Sequence, residues 1–363
     1  MPFCGMDFDY IIIGGGIAGL SLGAKLAGAG SLLLIERETN LGYHASGRSA
    51  ALYEPNYGPP EIVALSSESS DAFHAMAGIL TPRGVMSVAG EGQDALFGQD
   101  VDAMDMQEIS IDEACHIVPI LNPKAVWRAA RADHAWDIDT DLLLQGHAAT
   151  LRALGGQVVT KANVTAITPQ LGGWTIQAGD QTYSGKMLIN AAGAWADQIA
   201  TLAGVNPIGI QPLRRSMARI PAPGNHDVSG WPMMFGAGET WYAKPDAGAL
   251  IVSPADADLV EPQDAWADDM VLAEGIARYE AMVTSPVTQL LANWAGLRSF
   301  TPDHVPVIGH DLMQPNFFWL AGQGGYGFQT SPAASELAFN LLTWQPSNLS
   351  RPLIMKLSPL RFL

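Results

Sequence analysis

Residues 11–19 read Ile11-Ile12-Ile13-Gly14-Gly15-Gly16-Ile17-Ala18-Gly19, and the chain continues to a second apolar run, Leu32-Leu33-Leu34-Ile35-Glu36-Arg37. An apolar strand, a glycine turn, a helix and a second strand ending in an acid are the sequence of a dinucleotide-binding βαβ unit. Each glycine has its own task. Gly14 permits the tight turn, Gly16 lets the backbone approach a pyrophosphate, and Gly19 allows the helix to pack closely on the strand. Helix-end N–H groups then face the phosphates. Glu36 stands where a carboxylate accepts hydrogen bonds from ribose hydroxyls, and its charge disfavours a 2′-phosphate. The pattern by itself leaves open which dinucleotide is bound.

The 363 residues, 48% of them hydrophobic, suffice for a large core and two domains. A formal net charge of −17 argues against nucleic acid or an anionic membrane as the main partner, because both would be repelled. Only Cys4 and Cys115 occur, far apart, so neither a metal site nor a disulfide framework is expected, and a reducing, cytoplasmic setting fits best. The N-terminal apolar run lacks a basic flank and ends in the glycine turn, which makes it a buried strand rather than a signal peptide. No stretch is long and apolar enough for a transmembrane helix.

Further along, Asp139-Thr140-Asp141 opens a helix with Leu142, Leu143, Leu144 and Leu151, closed by Gly155-Gly156. A strand over 157–160 follows, then alternating pieces at 163–168, 174–177 and 181–183, which read as a β-meander. It leads into Met187-Leu188-Ile189-Asn190-Ala191-Ala192-Gly193, a strand running into a turn and helix. From about Pro207 to Asn293 short strand-like pieces rich in Trp, Met and Phe predict an antiparallel sheet.

This layout resembles the FAD-binding domain of glutathione-reductase-like flavoproteins. Four segments together resemble the D-amino-acid oxidase (DAO) family, closest to its bacterial D-arginine and D-amino-acid dehydrogenase branch. They are the glycine turn with Glu36-Arg37; Gly42-Tyr43-His44-Ala45-Ser46-Gly47-Arg48-Ser49-Ala50-Ala51; Asn190-Ala191-Ala192-Gly193-Ala194-Trp195; and Trp294 to Asp303 leading to Ala321-Gly322-Gln323-Gly324-Gly325-Tyr326-Gly327-Phe328-Gln329-Thr330-Ser331. The resemblance implies an α/β fold in which a discontinuous FAD-binding Rossmann domain (residues 1–76, 137–205 and 299–363) is interleaved with an α+β, antiparallel-sheet substrate domain (77–136 and 206–298). It places FAD, held noncovalently, against Gly14, Gly16, Ala18, Gly19, Glu36 and Arg37; against Ala45 through Ala51 and Leu52; against Val164, Ala192, Gly193 and Trp195; and against Gly324 through Gln329. Ser331 is expected to cap, and Pro332 to begin, a helix whose N-terminus points at the flavin.

A 2-amino acid needs its carboxylate fixed, and a guanidinium does this with two parallel hydrogen bonds. By resemblance Arg215 and Arg298 grip the carboxylate with the Tyr242 hydroxyl, the Gly325 carbonyl accepts from the amine, and Tyr57 flanks the pocket; Arg214 could exchange roles with Arg215. Met233, Phe235 and Phe328 are expected as pocket wall. Val85 and Leu52 stand where the branch carries a glutamate and a histidine, which removes polarity and predicts that D-arginine is a poor substrate. Glu54 replaces a threonine and reads either as a solvated loop carboxylate or as a displaced anchor for a cationic tail. The expected reaction is FAD-dependent oxidative deamination of an apolar or aromatic D-amino acid to a 2-oxo acid and ammonia. Oxidation of an N-methyl amino acid or 2-hydroxy acid, and a non-catalytic electron-transfer subunit, remain the alternatives. Oxygen and a quinone both remain open as electron acceptor.

Overall fold

Strands Phe8–Ile13, Leu32–Ile35 and Gln157–Val159 lie parallel, and Phe8–Ile13 also pairs in parallel with Gln181–Asn190, from Phe8 opposite Gly185 to Ile13 opposite Asn190. The computed structural model describes residues 7–362; Cys4 therefore lies outside the described residues. Along the first strands successive side chains point to opposite faces, which explains the uninterrupted apolar run. Ile12 and Leu34 pack with Leu20, Leu151 and Leu337 from the helices Ile17–Leu26, Thr140–Ala153 and Ser331–Leu342. Ile11, Ile13, Leu33 and Ile35 face Trp174, Ile176 and Trp319 on the other side. Strands Val164–Gln170, Gly173–Ala178, Val307–His310 and Phe317–Ala321 complete an eight-stranded sheet.

The pieces read separately at 181–183 and 187–190 form one ten-residue strand, Gln181–Asn190. Its first half pairs antiparallel with Gly173–Ala178, and its last three residues pair in parallel with Phe317–Trp319. Two different partners along one edge break the hydrophobic pattern without breaking the strand. Asp139 caps its helix as expected, accepting from the Leu142 amide at 2.8 Å. The helix near 331 starts differently: Thr330 is the N-cap residue, its hydroxyl donates to the Tyr326 carbonyl, and Ser331 and Pro332 are already helical.

A second, ten-stranded sheet runs from Gln323–Gly324 through Ala292–Phe300, Gln211–Pro221, Ala249–Ser253, Tyr242–Asp246 and Met233–Gly236 to Val85–Ala89, Arg128–Ala132 and Gln107–Ile109, with Asp258–Leu259 also paired to Gln211–Pro221. It is antiparallel as expected except where Met233–Gly236 meets Val85–Ala89 in parallel, a join between segments far apart in the chain. Among the described residues no helix is long and apolar enough to cross a membrane.

Candidate active site

Two adjoining cavities open between the sheets, a cleft of about 260 Å³ and a smaller cavity of about 100 Å³, and they share Ser49, Ala50, Arg215, Arg298, Gly325 and Phe328. The cleft begins at the glycine turn. Gly14 has φ +113°, and a Cβ there would lie 2.3 Å from the Ala191 carbonyl oxygen, so glycine is obligatory. Gly19 would meet the Gly14 carbonyl at 2.0 Å; it sets helix–strand contact and does not itself line the cleft. Ser46 Oγ accepts from the Ile17 amide at 3.0 Å. The Gly16 and Ala18 amides, which also line the cleft, carry no hydrogen bond among the described residues. Glu36 is buried, with its two carboxylate oxygens accepting from the Gly15 and Glu38 amides at 2.8 Å each. Each oxygen keeps further lone-pair capacity on the cleft side.

Arg37 lays its guanidinium 3.8 Å from the Trp195 ring centroid and donates to Glu38 at 2.9 Å, so it forms part of the wall. Arg48 reaches across the cleft: Nη1 donates to the carbonyls of Ala265 (2.7 Å) and Ala295 (3.0 Å), and Nη2 bonds Asp264. Its charge is thus spent on protein. Ala45, Ser46, Ser49, Ala50, Val164, Ala192, Gly193, Gly324, Gly325, Gly327 and Phe328 line the cleft as expected. Gly47, Tyr326 and Gly19 line neither cavity, while Ala51, Leu52 and Gln329 belong to the smaller one. Gly47 is needed because a Cβ would sit 2.5 Å from the Gly42 carbonyl; Tyr326 packs on Tyr57, ring centroids 5.3 Å apart.

Ser331 and Pro332, which open the helix at 331, are not among the described residues that line either cavity. Ser331 is buried away from both cavities, and the Ala333 amide is taken by Ser69 Oγ at 3.1 Å. The turn before it, Gly324 to Phe328, supplies the groups that line the cleft. Lys244, which the sequence did not flag, is buried and donates to the Ala50 and Ala51 carbonyls at 2.5 and 3.2 Å, fixing the loop that separates the cavities.

The smaller cavity gathers Arg215, Tyr242, Arg298, Gly325 and Tyr57, together with Val85, Met233, Phe235, Phe328 and Leu52. Register explains which arginine arrives. Arg298 lies opposite Leu213, so Arg215, two residues on, shares its face, while Arg214 opposes Leu297 on the other face. Arg214 there meets Asp258 at 2.7 Å, Asp256 at 3.4 Å and Asp268 at 3.8 Å. Neither Arg215 nor Arg298 forms an ion pair among the described residues; Arg215 Nε donates only to the Asp256 carbonyl, at 2.7 Å. Burial and then the Arg298 charge lower the Arg215 pKa. A Cβ at Gly325 would lie 2.9 Å from Arg298 Cζ, so a larger residue there would displace the guanidinium.

Tyr57 donates to Glu239 Oε2 at 2.8 Å, and burial followed by the Glu239 charge raises its pKa. Tyr242 has a buried hydroxyl without a partner. Glu54 is 2% exposed and lines the cavity, which rules out the solvated-loop reading. Burial pushes its carboxyl up to about 7. Glu239 and Met104 also line this space, and no local pattern in the sequence marks either.

Residues 9–341 match the family model described as DAO, FAD dependent oxidoreductase. An L-2-hydroxyglutarate dehydrogenase from Indibacter alkaliphilus is 26% identical over 54% of this chain and 53% of its own length, so the chain spans about half of that relative. A glycine oxidase from Pseudomonas putida is 22% identical, with 93% of this chain and 95% of that protein covered. The fold is similar to that of L-α-glycerophosphate oxidase from Mycoplasma pneumoniae, solved dithionite-reduced with FAD bound: TM-score 0.80, 20% identity, 95% of this chain and 97% of that one.

Proposed function

The chain belongs to the DAO family of FAD-dependent oxidoreductases, and on that premise we propose that it oxidises a D-amino acid to an imino acid, which water converts to a 2-oxo acid and ammonia. The cleft fits the cofactor: the free Gly16 and Ala18 amides suit a pyrophosphate, Glu36 suits ribose hydroxyls, and the Ser49–Ala50 loop and the Gly324–Phe328 turn suit the ring. When bound, FAD supplies a two-electron acceptor for hydride from the substrate α-carbon. Noncovalent attachment is part of the proposal: His44, the alternative point of attachment on the cleft wall, has its Nε2 engaged with Glu38 at 2.9 Å and Arg37 at 3.1 Å.

One observation carries the substrate reading: two guanidinium groups without ion-pair partners, at the junction of the cavities. Two like charges held together are relieved by an anion, and a carboxylate takes parallel hydrogen bonds from a guanidinium. The unpartnered Tyr242 hydroxyl adds a third donor, and the Gly325 carbonyl accepts from the amine. With the amine entering uncharged, no side-chain base has to act. Val85, Met104, Met233, Phe235 and Phe328 favour an uncharged side chain, apolar or aromatic, over that of D-arginine. The D configuration, the D-arginine and D-amino-acid dehydrogenase branch of the family, and the division into domains rest on the four segments of sequence resemblance.

Anaerobic mixing with D-leucine, D-phenylalanine, D-methionine and D-arginine, followed by loss of flavin absorbance, tests the reading. Fastest bleaching by D-arginine would reject the uncharged pocket. A 2-hydroxy acid is the second reading, supported by the 2-hydroxyglutarate dehydrogenase relative, because the same pair grips any 2-substituted carboxylate; faster bleaching by 2-hydroxy acids or sarcosine would replace the first.

A further inference from the structure

Two acids line the smaller cavity among the described residues, and of these Glu54 is the one that is 2% exposed and has a carboxylate oxygen without a partner. Its Oε1 accepts from the Asn56 amide at 2.9 Å and lies 3.2 Å from His134 Nε2, while Oε2 is buried with no partner. His134 is in turn 3.1 Å from the Met104 carbonyl and 3.2 Å from Asn56 Nδ2, so the carboxyl is oriented from one side only. Leu52, Val85, Met104 and Phe235 line the same cavity. Leaving a buried oxygen without a donor is costly, and such an orphan in a residue that lines a binding cavity is satisfied when the ligand supplies the donor.

We propose that Glu54 determines side-chain specificity by accepting a hydrogen bond at Oε2 from an uncharged N–H donor, so that the preferred substrates are D-amino acids with a neutral nitrogen-bearing side chain of the amide or heteroaromatic type. The inference rests on the amino-acid reading above, keeps its uncharged side chain, and replaces the purely apolar one by a neutral polar one that carries an N–H. An ammonium or guanidinium would have to be desolvated along with the carboxylate, and a single close contact does not offset the loss of hydration of two ions. A neutral donor avoids that cost.

D-Asparagine and D-leucine have nearly the same shape and differ in the donor, so the ratio of their kcat/KM values isolates the contact. In Glu54→Leu this ratio falls by about tenfold or more. In Glu54→Gln, which keeps an acceptor of the same size but cannot ionise, it stays within about threefold of wild type. Flavin content and melting temperature of each variant report folding, and Glu54→Met, which also removes the acceptor and is expected to lower the ratio equally, replaces Glu54→Leu if that variant does not fold. An unchanged ratio in Glu54→Leu, or a Glu54→Gln ratio as low as that of Glu54→Leu, overturns the assignment. So does a wild type that prefers D-lysine to D-asparagine and loses that preference in Glu54→Gln, because the ligand is then a cation. If D-leucine bleaches the wild-type flavin but the ratio ignores Glu54, only this inference fails. If no D-amino acid bleaches it, the amino-acid reading fails as well.

Discussion

Replacing Arg298 by methionine keeps the length of the side chain and removes its charge, and the outcome separates a carboxylate clamp from a structural arginine. Arg298 packs its guanidinium against Gly325 and has no ion-pair partner among the described residues. Removing one member of a charge-assisted, desolvated pair costs about 2–5 kcal/mol. Because Arg298 is half-buried and Arg215 stays in place, the lower part of that range applies: about 2–3 kcal/mol, or roughly 30- to 150-fold in affinity. The probe is 4-methylpentanoate, which is leucine without its amine and cannot reduce the flavin. Its Kd, read from the perturbation of flavin absorbance, should rise by that factor, and kcat/KM for D-leucine should fall in parallel. Since the Arg298 charge helps to depress the Arg215 pKa, the variant also relieves a like-charge repulsion and should melt no lower than wild type. A Kd within threefold of wild type, or a melting temperature several degrees lower with unchanged binding, would show that Arg298 supports the fold and does not hold the ligand.

Arg214 sits on the opposite face with Asp256, Asp258 and Asp268, so Arg214→Ala should lower stability by about 1 kcal/mol, seen in thermal unfolding, while the D-leucine KM stays within twofold; a tenfold change in KM would put Arg214 in the site. Tyr242→Phe removes an unpartnered buried hydroxyl and should leave the melting temperature equal or higher while weakening 4-methylpentanoate binding by about tenfold; unchanged binding would mean the hydroxyl never meets the ligand. Gly19→Ala pushes a Cβ to 2.0 Å from the Gly14 carbonyl and should cost more than about 2 kcal/mol and most of the bound flavin; a yellow protein with wild-type melting would refute the close-packing argument. Glu54 is raised to about 7, with His134 and Tyr53 as its titratable neighbours, so between about pH 4.5 and 7 the native state keeps a proton that the unfolded chain has released. Stability then falls as pH rises through that window, by about 3 kcal/mol relative to Glu54→Gln, and levels off above it. Denaturant titrations of both proteins at several pH values check this, and a pH-independent difference would sink it.

What could be read from the sequence was what local geometry decides. Gly14 and Gly19 are dictated by contacts within the first βαβ unit, and the apolar runs at 11–13 and 32–35 are dictated by a strand covered on both faces, so the cofactor fold was legible. The split at 181–190 was misread because one strand changes partner midway, a fact that resides in residues 173–178 and 317–319. Whether Arg214 or Arg215 faces the ligand was undecidable for the same kind of reason: alternation sends neighbours to opposite faces, and only the register against Ala292–Phe300 says which face carries Arg298. Arg48 matched its motif, but its guanidinium is consumed by the carbonyls of Ala265 and Ala295, so a motif match located the loop without assigning the charge. Glu54, Glu239 and Lys244 are the extreme case. Each is an ordinary surface residue type whose role comes from being enclosed by segments distant in the chain: Lys244 by the loop at Ala50 and Ala51, Glu239 by Tyr57, and Glu54 by His134. The proposed carboxylate end, set by paired strands, was therefore foreseeable as a pair of arginines, and Leu52, Val85, Met233, Phe235 and Phe328 were foreseeable as wall by resemblance, whereas the enclosure of Glu54, Glu239 and Lys244 by unrelated segments emerges only from the packed structure.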